Sequence, residues 1–112
     1  MTQTKKLPIR ASARDDRFFR ASHHVLKRYE LNRLGVSDGW LRFEVKGGHM
    51  PYEVCIPLEG DATPTCTCPD AKNHAPRLTA GFCKHIIACL LRTSDGSCPE
   101  GDLSYHLLDL ML

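Results

Sequence analysis

Three cysteines and a histidine stand in two tight pairs, Cys66-Thr67-Cys68 and Cys83-Lys84-His85. Thiolate sulfur and imidazole nitrogen are the donors of a structural zinc site, which takes four ligands in a tetrahedron. Residues at i and i+2 of an extended segment project to one side, so Cys66 and Cys68 can reach one ion. Cys83 and His85 stand where the apolar run "CKHIIACLLR" begins. At a helix start the free N–H groups and the dipole favour thiolate, and Gly81 lets the chain turn there. The four form a Cys3His set with one zinc ion as the expected cofactor. Three thiolates against Zn2+ leave a charge of −1, which Lys72 and Lys84 are close enough in sequence to offset.

Other chemistry fits these residues less well. Six cysteines would also allow disulfides. The N-terminus "MTQTKKLPIRASARDDRFF" has charges but no apolar core of a secretory signal. Cysteine pairs in a reducing compartment point to metal, so a cytoplasmic (or, in a eukaryote, nuclear) location is expected and secretion is not. A disulfide within C-x-C would close a strained ring, C-x-x-C is absent, and iron–sulfur clusters call for four thiolates. His74 is the alternative to His85 as fourth ligand. Cys89 could approach the metal but reads as a small core residue. Cys55 and Cys98 read as free thiols, and His23 and His24 as part of a solvated helix face. With all four positions filled by protein there is no place for an activated water. No Ser/His/Asp group, phosphate-cradling loop or carboxylate pair stands at a meaningful spacing, so no enzymatic activity is expected. A thiol switch at Cys83 is the nearest enzyme-like variant.

The elements that must position these residues follow from patterning. A chain of 112 residues fits one small domain, with a modest core that a metal would reinforce. No apolar run approaches the roughly 20 residues of a membrane span. Helical periodicity predicts a helix over 15–34. Phe18, Phe19, Val25, Leu26 and Tyr29 fall within about 120° of arc, and Arg17, Arg20, His24, Lys27 and Arg28 within about 100°. Gly35 is the expected terminator and "SDG" the turn after it. Alternation then predicts a hairpin, 40–46 against 52–57, with Gly47-Gly48 at its turn. Trp40 reads as core or rim packing, or as a base-stacking ring. A short extended piece at 65–68 carries the first cysteine pair, and 69–82 reads as an irregular connection. Residues 83–92 read as a buried helix. "LSYHLLDLML" reads as a terminal helix capped by Asp102 or Ser104. The fold class is small α+β, with an N-terminal helix, a β-hairpin and a zinc-pinned C-terminal helix. Three segments are expected: a basic helical part (1–36), the zinc module (37–95) and a linker with an apolar tail (96–112).

The pattern C-x-C, spacer, C-x-H, with its flanks "CTCPD" and "CKHIIACLL", resembles the SWIM zinc finger over about residues 40–92. That resemblance implies a ββα-type zinc module that binds DNA or protein. The family occurs in Mutator-like plant transposases, in SWI/SNF-type ATPases and in partners of recombinase paralogues. Charge is uneven in a way that bears on the choice. Residues 1–33 hold nine basic and three acidic side chains, the rest six and ten. A basic half looks for an acidic partner, so Arg17, Arg20, Lys27 and Arg28 are the expected phosphate contacts of a DNA-binding accessory factor. The alternative is an adaptor subunit of a larger ATPase, recombinase or transposase complex. It would dock through 103–112, where seven of ten residues are apolar or Tyr.

Overall fold

A four-residue rhythm governs the first helical segment. The computed structural model describes residues 9–60, 62–94 and 101–111, with side chains of the last segment from His106 onward. Helix α1 (Ala11–Arg20) continues through a π-helical turn at Ala21–Val25 into a last short turn, α2 (Leu26–Arg28). Arg17, Ala21 and Val25 are buried. The pairs 15–16, 19–20, 23–24 and 27–28 are exposed. An α-helix of 3.6 residues per turn would rotate a spacing of four steadily off one face. The wider turn brings Val25 back into line, with Leu26 N–H bonded to the Ala21 carbonyl. Ser22 Oγ donates to the Phe18 carbonyl at 3.0 Å, competing for the ordinary helical acceptor. The face expected from uniform 100° steps is therefore corrected. Val25 is in the core, while Phe19 is 55% exposed.

The helix also begins and ends earlier than expected. Tyr29 is extended (φ −100°, ψ 151°), and Glu30–Ser37 is strand β1, not helix. Gly35 is no terminator: at φ +115° it lies beside a bulge where the β1 register shifts between Arg33 and Gly35. Asp38 and Gly39, both at positive φ (53° and 81°), make a two-residue turn into β2 (Trp40–Lys46). That is the turn chemistry an Asp-Gly pair favours in a hairpin.

Strand β2 pairs antiparallel with β3 (Tyr52–Pro57), as alternation predicts, with Leu41 opposite Ile56 and Phe43 opposite Val54. Leu41, Phe43, Val45, Val54 and Ile56 are buried. On the other face Arg42 donates to Glu53 at 3.0 Å. The two-residue β4 (Thr65–Cys66) adds to β3, completing a four-stranded antiparallel sheet in the order β1-β2-β3-β4. The connection expected to be irregular contains two short helices, α3 (Pro69–Asn73) and α4 (Ala75–Leu78).

Helix α5 (Lys84–Thr93) is buried from His85 to Leu90 and sits between the sheet and the other helices. It contacts β3 and β4 of the sheet, and α1, the π turn and α6 (Gly101–Met111) among the helices. Leu107, Leu108 and Met111 of α6 are buried in the same core. Arg14 Nη1 donates to the Met111 carbonyl at 3.3 Å. The helix starts ahead of both Asp102 and Ser104, so neither caps it. The expected boundary at 36 and the separate tail do not describe this packing, since β1 belongs to the sheet and α6 to the core. Cys98 lies outside the described residues. Among those described, no helix is long and apolar enough to cross a membrane.

Candidate metal centre

Extended backbone at 65–68 turns Cys66 and Cys68 inward and Thr65 and Thr67 outward. Two bonds fasten this piece to β3: Thr67 N–H to the Glu53 carbonyl at 3.1 Å, and Glu53 N–H to Thr67 Oγ1 at 3.0 Å. Cys68 caps α3, its Sγ accepting from Ala71 N–H at 3.4 Å, with Pro69 preset for the first helical position. The second pair arrives after a tight reversal at Ala80 (φ 50°) and Gly81 (φ 92°). Thr79 Oγ1 locks that reversal by donating to the Phe82 carbonyl at 2.6 Å. Cys83 is the N-cap of α5 and His85 lies in its first turn.

All four sequence-predicted ligands come together. Their donor atoms lie within 4.8 Å of one another, and all four residues are buried. His85 Nδ1 is 3.9 Å from Cys66 Sγ and 3.8 Å from Cys83 Sγ. Bond lengths of about 2.3 Å to sulfur and 2.0–2.1 Å to nitrogen give a tetrahedron with edges of about 3.5–3.8 Å. The longest separation needs to close by only about 1 Å to reach it. All five described cysteines are free thiols, so no disulfide competes for these sulfurs.

The electrostatics say what the cluster lacks. Hydrogen bonds from Cys66 and then Cys83 hold the Cys68 thiol well below its ordinary range, assisted by the Ala71 N–H. Cys66, bonding to Cys68, is pushed up to about 12. Burial first, then the neighbouring sulfurs, pushes Cys83 up as well. The sulfurs share hydrogen bonds with one another. Three thiolates at this spacing require a cation between them. His85 fits the same picture, with Nδ1 among the sulfurs and Nε2 buried without a hydrogen-bond partner among the described residues. Its ring is flanked by Tyr52 and Tyr29, at 5.0 and 5.9 Å between centroids. This donor set fits a metal ion.

No protein-family model matches the chain, and no curated protein or solved structure does.

The alternative ligands lie outside the cluster. His74 is exposed, and Cys89 is a buried core thiol raised by desolvation. Cys55 is a half-buried thiol whose Sγ donates to Glu53. The four expected phosphate contacts divide. Arg17 is buried and bound in a fork to Asp70, Nη2 to Oδ1 at 2.7 Å and Nε to Oδ2 at 3.1 Å. Its Nη1 donates to the Ala13 carbonyl. Arg17 is therefore withdrawn as a phosphate contact, because its donors are already engaged. Arg20 is exposed beside Asp16, while Lys27 and Arg28 are exposed with no ion-pair partner among the described residues. Lys84 lines a shallow cavity of about 120 Å³ with Asp16, Arg17, Arg20 and Asp70, whereas Lys72 is exposed. Sequence reasoning missed Asp70. Its place two residues after Cys68, in the first turn of a short helix, was the available signal.

Proposed function

We propose that the chain is a non-enzymatic, zinc-binding module of the SWIM type that binds nucleic acid through the exposed side of its first helix. The convergence of three buried sulfurs and one imidazole nitrogen carries this reading. A filled Cys3His shell is the chemistry of a structural zinc, and it joins β4 to the start of α5 in a ββα-like arrangement with β3. Arg20, Lys27 and Arg28 supply the cationic side, with Arg10 near the helix start. The burial of Leu107, Leu108 and Met111 in the domain's own core favours this reading over an adaptor that docks through 103–112.

Metal analysis of the purified protein tests the first half. One zinc per chain is expected, and Cys68→Ser loses it. Fluorescence anisotropy with DNA tests the second. About three phosphate contacts predict a log K against log salt slope of roughly −3. Replacing Arg20, Lys27 and Arg28 by Glu is expected to abolish binding with zinc content intact. A protein without zinc, or one that binds no nucleic acid at low salt, refutes the corresponding half.

A further inference from the structure

Turned outward, the four-residue rhythm of the first helix builds a ladder. Phe19 and Arg20, His23 and His24, and Lys27 and Arg28 are successive exposed pairs. The Phe19 ring stacks on His23 at 4.2 Å between centroids and 22° between planes, and His24 meets it edge-on at 6.1 Å. Ser22 Oγ lies 3.0 Å from His23 Nδ1, which fixes the imidazole in that stack. A single exposed apolar side chain is ordinary. A fixed ring stack at the surface, with guanidinium and ammonium groups within two turns, is a different object. Unstacked bases lie on such rings while their phosphates reach the cations. Duplex bases are already stacked on one another and offer Phe19 nothing. Arg20 pairs with Asp16 at 3.2 Å, but both side chains are more than half exposed, so the pair is weak enough to yield to a phosphate. Asp15 and Asp16 repel a polyanion at the N-terminal end, so the strand is steered toward Lys27 and Arg28.

We infer that this ladder is a platform for single-stranded nucleic acid, with Phe19 and His23 stacking on bases and Arg20, Lys27 and Arg28 holding phosphates. The inference rests on the nucleic-acid reading above and narrows it to unpaired strands. The test is anisotropy of fluorescein-labelled oligothymidylate, oligouridylate and a mixed-sequence duplex with the zinc-loaded full chain. Wild type is expected to prefer either single strand to the duplex. Phe19→Ala is expected to weaken single-strand binding about 5- to 100-fold, the contribution of stacking on about one base. The duplex affinity and the salt slope stay unchanged, and Phe19→Trp restores the preference. Unequal loss on the thymidylate and uridylate arms identifies DNA or RNA as the source. Thermal melting of Phe19→Ala checks that the exposed ring is not structural. Duplex binding equal to single-strand binding, or Phe19→Ala as tight as wild type on both single strands, overturns the inference while the nucleic-acid reading stands. Absence of binding to all three probes overturns both.

Discussion

Asp70→Ala is expected to destabilise the zinc-loaded protein by about 2–3 kcal/mol, although Asp70 is neither a metal ligand nor a core residue. The number comes from where the Arg17–Asp70 fork sits. Removing one partner of a fully buried ion pair costs about 3–5 kcal/mol, and exposed pairs are worth about 0.2–1 kcal/mol. Here the Arg17 side chain is 10% exposed and Asp70 33%, so the pair falls between these limits. Losing Asp70 leaves a buried guanidinium with the Ala13 carbonyl, at 3.2 Å, as its acceptor within α1. Arg17→Met is milder, about 1 kcal/mol, because an apolar chain of similar length fills the site and the partly exposed Asp70 turns to water.

The double variant should therefore be more stable than Asp70→Ala alone. Urea denaturation at fixed free zinc measures all four corners of the cycle, and the expected coupling is about 1–2 kcal/mol. In thermal melts, Asp70→Ala lowers Tm by about 8–12 °C at roughly 4 °C per kcal/mol for a domain of this size. A coupling below about 0.3–0.5 kcal/mol would show that the two sites are independent and that the fork is incidental. The same series separates Arg17 from the phosphate contacts, since Arg17→Met should leave the salt slope for nucleic acid unchanged.

Gly47→Ala is expected to cost about 1–3 kcal/mol, because its Cβ would lie 2.8 Å from Tyr29 Cγ and 3.1 Å from Tyr29 Cα. Gly35→Ala, which meets nothing within 4 Å, should cost about 1–2 kcal/mol through its positive φ alone, and denaturant melts of the two variants compare them. Met111→Ala should cost about 2–4 kcal/mol if α6 is part of the core; an unchanged midpoint would show that the helix does not dock. Zinc affinity should rise with pH, since the sulfurs around Cys66 and burial at Cys83 push these thiols up and zinc must displace their protons. Calorimetry near pH 7 in buffers of different ionisation enthalpy should then report net proton release on zinc binding, and no release would refute the expectation.

The parts of the fold legible in sequence are those where one local signal had no competitor. Alternation in "WLRFEV" and "YEVCI" dictates a two-faced hairpin, and the apolar run after Cys83 dictates a buried helix. The metal ligands were legible because their chemistry is restricted to few residue types and their spacing to two geometries. Glu30–Ser37 was not legible as a strand. No proline or glycine interrupts the chain between Glu30 and Leu34, and the pairing that decides for a strand is with β2, a partner that local patterning does not show. The Asp38-Gly39 turn carried the opposite signal, since an Asp-Gly pair between alternating segments favours a hairpin over a helix end. Phe19 was misplaced for a different reason. It was grouped with Val25, Leu26 and Tyr29 by a uniform 100° step, and the π turn between them rotates those later residues away from it. The short helices α3 and α4 fall below the length at which propensity alone forms a helix. Their residues are helical because Cys68 caps one and the bond from Thr79 N–H to the Ala75 carbonyl closes the other.

Those short elements indicate where a metal matters most. Leu41, Phe43, Val54, Ile56, Ile86, Ile87 and Leu90 share one buried core with Cys66, Cys68 and Cys83, and these seven larger side chains bind no metal themselves. Between Pro64 and Phe82 the chain has a two-residue strand and two helices of five and four residues. None of these is long enough to hold its own backbone bonds in water. Besides the backbone bonds that tie 65–67 to β3 and Leu78–Thr79 to Ile9–Arg10, this stretch is attached at Cys66 and Cys68 to the start of α5, and at Asp70 to Arg17. Without a cation the cysteine attachment is long contacts among three sulfurs and an imidazole, too little to replace four metal bonds. Chelation should therefore loosen 64–82 before the hairpin. Through Asp70, that loosening reaches Arg17 and the docking of α1. Hydrogen exchange would show this order directly, with amides of α3 and α4 losing protection first, α1 next, and β2–β3 last. Simultaneous loss in β2–β3 and α3 would mean that the metal holds the whole domain rather than this segment.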